Sequence, residues 1–495
     1  MMTRTLLKAR WVVGHEGGGH CLYENGEVVV EGERILFVGH DFPGEVAERI
    51  DFGNALIGPG FIDLNALSDL DTSVLGYDNQ PPERKGRVWP DSYMKAGPRE
   101  MYSADELAFQ KRYAFTRLIR NGTTTGLPIA SLFYREWGET TEEFAAAAAF
   151  AGELGLRVYL GPAYRTGNIV VGQDGGISQY FDEERGLRGL EEAEAFCRRF
   201  EGTAGGLVRT MFAPDRIETC TPELLRRTAE AGRALEVPVR LHCCQALYEY
   251  DSVVEQHGMS PPEWLESIGF LGPRVLLPHG IFVSGINGVE RPGHDLEILA
   301  GSGATIVHCP AVAARGGWLL RSFSRYRALG INIGLGTDTH PPDMIQNMTL
   351  AVVLARIAES NASAASAADL YDAATLGGAA ALGRPDLGRL APGAAADLNV
   401  IDFDNPFMGQ NIDPIQTLIL NGSGREVTDV MIAGRFVMRE GVIPGVDDRA
   451  LRKKAQAQYH QIVAQYPDRT LGHPHVDEIF QSSYPRRSSR AATPT

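Results

Sequence analysis

The 495-residue sequence predicts an α/β protein: a (β/α)8 TIM barrel carrying a small β-sandwich built from both chain ends. Three observations lead there. Eight apolar, β-branched runs each end in a polar residue, helical stretches separate them, and β-like patterning without helices is confined to the two ends. The runs are 61–65, 123–128, 157–162, 208–214, 237–242, 274–279, 304–308 and 331–338. The last four end at His242, His279, His308 and Asp338, spaced by roughly 30 residues, which accommodates a strand, a helix and two loops. Between runs, 221–235 shows what a helix needs. Thr221 is an N-cap, Pro222 suits the first helical position, and apolar residues recur at helical spacing.

The ends read differently. Residues 27–39 alternate apolar and polar positions around a Gly-containing turn, as do 396–402 and 427–438, with Gly434 at a turn. One β-sandwich from 1–60 and 382–446 is expected, leaving 61–381 for the barrel. From 447 to 495 the sequence predicts an amphipathic helix, clearest over 450–459, and then a flexible tail whose basic run at 486–490 frays.

Composition excludes several classes. Lys+Arg 47 against Asp+Glu 62 leaves a net charge of −15, which argues against phosphate-directed nucleic-acid binding. Hydrophobic residues at 44% and charged residues at 22% describe a globular chain. No apolar stretch approaches the ~20 residues of a bilayer span, so no membrane partner is expected. The first ten residues lack the apolar core of an export signal. Six cysteines are too few to staple so long a chain and none forms Cys-x-x-Cys, which predicts a reducing, cytoplasmic setting.

The chemistry gathers at the strand ends. In a barrel, the terminal residues of consecutive strands converge on one mouth. His242, His279, His308 and Asp338 would therefore share a site. Imidazoles with a carboxylate suit zinc or another first-row divalent ion, which lowers the pKa of a nearby water to about 7. Any one of these histidines alone would read as a hydrogen-bonded structural residue.

Gly58-Pro59-Gly60-Phe61-Ile62-Asp63, Leu241-His242, Pro278-His279-Gly280, Val307-His308-Cys309-Pro310 and Gly336-Thr337-Asp338 stand in this order, followed by 388–398. With them the chain resembles the amidohydrolase superfamily, in the branch of triazine hydrolases and guanine- and cytosine-type deaminases. The resemblance implies a metal-dependent hydrolase of C–N bonds, or sometimes C–Cl or C–S bonds. It also implies a small-molecule substrate and a homo-oligomer. Two departures matter. The His-x-His expected on the first strand reads Asn65-Ala66-Leu67, and the metal-bridging lysine of the fourth is absent from Phe212-Ala213-Pro214-Asp215. Two readings survive: no metal, or one divalent ion per chain. That ion would be zinc, with cobalt, iron or manganese as alternatives, held by His242 and His279 beside Asp338 and the Asn65 amide oxygen.

The fifth strand departs as well. Deaminases of this branch carry His-x-x-Glu, whereas this chain has His242-Cys243-Cys244-Gln245, and an amide cannot relay protons. Hydrolysis would then rest on Asp338 as general base, with Gln245 and His308 positioning a carbonyl. Residues 160–167 and 337–344 look like phenylurea hydrolases and molinate-type thiocarbamate hydrolases. That likeness implies an N-aryl urea cleaved to its aniline. One rival is a deaminase or chlorohydrolase of a heteroaromatic ring, its proton shuttle moved to Glu249. Another is a catalytically inactive scaffold.

Supporting roles are assigned more broadly. His340 reads as a partner of the site or an acid for the leaving group, or equally as a loop residue. Arg165 reads as substrate-binding or as half of an ion pair. Cys243, Cys244 and Cys309 read as small apolar fillers. His15, His20, His294, His473 and His475 are placed in loops, and Trp89, Tyr93 and Trp318 on loops that could stack on an aromatic substrate.

Overall fold

The computed structural model describes residues 4–76, 88–321 and 323–487, so residues 488–490 of the basic run lie outside it. All eight expected runs contain parallel strands: Phe61–Leu67, Thr123–Ile129, Arg157–Leu160, Val208–Thr210, Val239–Arg240, Val275–Pro278, Thr305–His308 and Asn332–Leu335. They form two four-stranded sheets, the first four strands in chain order in one and the last four in the other. Nearly every residue in them is buried, as expected of parallel strands covered on both faces.

The two sheets meet at both edges. Between the fourth and fifth strands, bridges join Phe212 to Val239 and Arg216 to His242. Between the eighth and first, the Asp338 amide donates to the Asn65 carbonyl at 2.8 Å. The buried Asp63 carboxylate takes the Thr337 amide at 3.1 Å and the Thr337 hydroxyl at 2.6 Å. Gly336 permits this approach, because a Cβ there would lie 2.6 Å from that of Asn65.

Helices begin where the sequence signals them. Thr221 caps Pro222–Leu235 by accepting from the Leu224 amide, and Ser103 with Glu106 forms a reciprocal capping box on Ala104–Arg120. A six-stranded sheet unites both chain ends: Ala55–Pro59 pairs antiparallel with Leu398–Asp402, flanked by Trp11–Glu16 and Gly19–Glu24 on one side and by Val427–Ile432 and Arg435–Met438 on the other. A four-stranded sheet of Arg34–Gly39, Glu27–Glu31, Arg4–Lys8 and Glu48–Asp51 shares an apolar layer with it, including Val12, Val28, Ile57, Leu398 and Met431.

Three features differ from the sequence reading. His15 and His20 face each other on paired strands, not in loops, because the Gly17-Gly18 turn closes a hairpin between them. An antiparallel pair, Gly167–Val171 with Ile177–Phe181, precedes the helix Glu183–Phe200, and Trp89–Pro90 adds to its edge. The flexible tail expected within 447–495 also differs over its described part, 447–487. After the helix Asp448–Gln465, residues Tyr466, Arg469, Val476 and Phe480 are buried, because they cover Tyr102, Phe133 and Tyr134. Among the described residues, no helix is long and apolar enough to cross a membrane.

Candidate active site

His242, His279, His308 and Asp338 fall at or just beyond the C-terminal ends of their strands, and Asn65 stands two residues before the end of Phe61–Leu67. Three non-glycine residues there have positive φ: Cys244 at 59°, His279 at 84° and Asp338 at 51°. Such backbone is costly for residues with a Cβ and concentrates at functional sites.

The core of the site is tight. His279 Nε2 lies 3.6 Å from Asp338 Oδ2, and the His242 and His279 rings stack with centroids 5.6 Å apart. Ligand-capable atoms of His279, Asp338 and Cys309 all lie within 4.8 Å of one another. Cys309 was not expected among them; burial pushes its thiol well above the usual range, and the Asn65 amide nitrogen sits 3.8 Å from its sulfur. The Nδ1 of His242 is 2.7 Å from the Asp215 carbonyl. A carbonyl can only accept, so this nitrogen carries the proton and Nε2 keeps its lone pair.

Electrostatics follow from burial. Desolvation lowers His242 to about 3 and His308 to about 4, and holds His279 well below its ordinary value, so all three rings are neutral at pH 7. Desolvation raises Asp338 to about 8 against the pull of Arg216 and Arg240. Arg240, also unanticipated, is buried and donates to the Leu127 and Pro128 carbonyls at 3.0 and 2.9 Å. A signal for it existed: strand alternation puts Arg240 and His242 on the same side.

Among the described residues, three buried polar atoms here have no hydrogen-bond partner: His279 Nε2, Asn65 Oδ1 and Gln245 Oε1. Buried polar atoms are normally paired, so orphans at one site point to a missing group. Neutral imidazoles, a carboxylate and an amide oxygen form the kind of donor set a divalent first-row ion takes. The residues present therefore fit a metal ion, whereas Leu67 offers it nothing.

The remaining expected residues divide. His242 and His308 both lie outside the close cluster of His279, Cys309 and Asp338, His242 reaching it through ring stacking on His279 and His308 being buried with its ring 6.3 Å from Phe323. His340 is not in it either; its amide donates to Asp71 and its carbonyl accepts from Arg315, both at 2.8 Å. Glu249 is occupied as a backbone clamp, one oxygen taking the Cys244 amide and the other the Gln245 amide at 2.9 Å. Trp89 is buried, Tyr93 packs on it, and Trp318 is exposed against Phe282. A groove of about 540 Å³ lies elsewhere, on an outer face lined by Leu22, Val353, Tyr371 and Leu420, and no strand-end residue borders it.

Histidines and a carboxylate thus gather at the ends of parallel strands on a TIM-barrel-like scaffold. Residues 74–437 match the Amidohydrolase family, and the chain belongs to it: a hydrolase of carbon–nitrogen bonds other than peptide bonds. Two curated relatives are named 5-methylthioadenosine/S-adenosylhomocysteine deaminase. That of Natronomonas pharaonis is 26% identical over 437 residues, covering 87% of this chain and 92% of its own. That of Halobacterium salinarum is 28% identical over 446 residues, covering 89% and 94%. Among solved structures, atrazine chlorohydrolase TrzN from Arthrobacter aurescens TC1, complexed with zinc, superposes with a TM-score of 0.75 at 23% identity, over 92% of this chain and 99% of its own. The triazine-hydrolase likeness thus holds at the level of fold, while nearness to phenylurea and thiocarbamate hydrolases finds no support among these relatives.

Proposed function

We propose that this chain is a metal-dependent aminohydrolase that removes an exocyclic amino group from a heteroaromatic ring, with a thioether-bearing adenine nucleoside as the first substrate to assay. Near full-length similarity to proteins named as deaminases carries this reading. One divalent ion, zinc in the first instance, would be held by His242 and His279 with Asp338 and the Asn65 oxygen beside it. Such an ion supplies Lewis acidity and lowers the pKa of an adjacent water to about 7.

The protein's own groups supply the rest. The neutral imidazoles offer lone pairs without first losing protons. Asp338, raised toward neutrality by burial, takes a proton from water and returns it to the ring nitrogen or the departing ammonia. This double duty stands in for the glutamate absent at Gln245. Gln245 and His308 orient the ring through hydrogen bonds. The eight strands are read as one (β/α)8 barrel and the two flanking sheets as its β-sandwich.

A second reading, hydrolysis of an N-aryl urea to its aniline, draws on one observation. Gln245 cannot shuttle protons, and the nearest glutamate, Glu249, is tied to two backbone amides. Product analysis separates the two. Zinc-loaded protein given 5-methylthioadenosine is expected to release ammonia and the corresponding inosine. An aniline from an arylurea, with no ammonia from the nucleoside, overturns the first reading in favour of the second.

A further inference from the structure

Arg165 is 4% exposed, yet its hydrogen bonding is sparse. Its Nη2 reaches the Leu132 carbonyl at 3.3 Å, its Nε has no partner among the described residues, and its Nη1 stands 3.6 Å from Asp215 Oδ2. Two indoles pack against it, with the guanidinium carbon 5.1 Å from the Trp89 ring centre and 5.6 Å from that of Trp137. Each indole is itself fixed: Trp89 donates to the Phe133 carbonyl and Trp137 to the Arg165 carbonyl, both at 2.8 Å. The stack continues outward, Arg469 lying 5.9 Å from Trp89 and Arg185 5.0 Å from Trp137. An arginine this buried and packed against two fixed indoles is poorly placed to meet a substrate, so its location calls for another explanation.

Asp215 supplies it. Its amide donates to the Tyr164 carbonyl at 2.9 Å, and its own carbonyl takes the His242 ring at 2.7 Å and the His242 amide at 3.3 Å. We infer that Arg165 is a positioning residue: held against Trp89 and Trp137, it pins Asp215, whose carbonyl keeps His242 in the tautomer with Nε2 free for a metal ion. The inference rests on the proposed metal centre and replaces the expectation that Arg165 binds substrate. Groups that orient ligand histidines typically change metal affinity 10–100-fold when lost.

The test uses full-length protein labelled with 15N-histidine, as wild type and as Arg165→Met, Arg165→Lys and Asp215→Asn. In metal-free wild type, the His242 resonance, assigned by its loss in His242→Ala, is expected to show a single Nδ1–H tautomer. Arg165→Met and Asp215→Asn are expected to show mixed tautomers and to weaken cobalt(II) binding about 10–100-fold. Arg165→Lys should recover most of both, which loss of packing alone would not allow. If Arg165→Met does not fold, Asp215→Asn, which keeps every backbone group, carries the test. An unchanged tautomer with cobalt(II) affinity within about twofold of wild type overturns the inference. So does a raised KM for 5-methylthioadenosine with metal affinity intact, which returns Arg165 to substrate contact. Wild type that binds no metal overturns the proposed function instead, and the tautomer comparison still decides the role of Arg165.

Discussion

Asp338 combines a positive φ of 51°, a backbone bond to the first strand and a carboxylate 3.6 Å from the His279 ring. Its oxygens are thus placed by two strands at once, and burial keeps its proton affinity near the working range. Asp338→Asn is expected to lower kcat about 10²–10⁴-fold, the usual worth of a positioned acid–base group, as read by steady-state assay of correctly folded protein. His242→Ala should abolish both bound metal, measured by elemental analysis, and turnover. Leu67→Ala should leave the metal content unchanged, because Leu67 contributes no donor atom. Chelation should remove activity from the wild type and added zinc restore it; activity that survives metal removal contradicts the proposed centre.

At the scale of elements, charged groups hold secondary structures in register. Lys111, on the helix Ala104–Arg120, is wholly buried, with its ammonium 2.9 Å from Glu139 and 2.9 Å from the Ser68 hydroxyl just past the first strand. Removing one partner of such a pair leaves a buried charge uncompensated. Lys111→Met is expected to cost about 3–5 kcal/mol, seen as a lower denaturation midpoint. Arg34, on its edge strand, and Arg384 both pair with Asp386, and the Arg384 guanidinium chiefly holds that carboxyl below its ordinary range. A depressed folded-state pKa means stability that is present at neutral pH and lost as pH falls through that value. Asp386→Asn should therefore lower the unfolding free energy slightly at pH 7, by about 1 kcal/mol or less for a partly exposed pair, read from denaturant melts. The gap should close as pH falls below the unfolded-state value.

Over the whole molecule, the C-terminal segment is a strap that reaches back to loops near the mouth. Arg469 is buried and donates to the Phe133 and Arg135 carbonyls at 3.4 and 3.3 Å. Tyr466 packs on Phe133 at 5.6 Å and on Phe480 at 5.4 Å. Burying each large apolar side chain is worth about 1.5–3 kcal/mol, so truncation after residue 446 should lower Tm well beyond any single substitution. A truncated chain that melts like the full one would show that the strap does not support the loops beneath it.

Much of this was legible in order along the chain. The eight strands, the cap at Thr221 and the strand-end histidines follow from local patterns, because alternation, β-branching and capping act between near neighbours. Pairing between distant segments was less accessible. The segment 447–487 carries an amphipathic pattern, but nothing in it states that Arg469 will stack on Trp89. Glu249 could have been a proton shuttle by residue type; its two backbone donors show otherwise. Residue types and their spacing therefore determined which groups stand at the ends of which strands. Only the tertiary structure decided which nitrogen of His242 is free, which oxygens lack partners and which charges are desolvated. Those depend on burial and on atoms brought together from segments far apart in sequence, and distance and dielectric are properties of the folded chain alone.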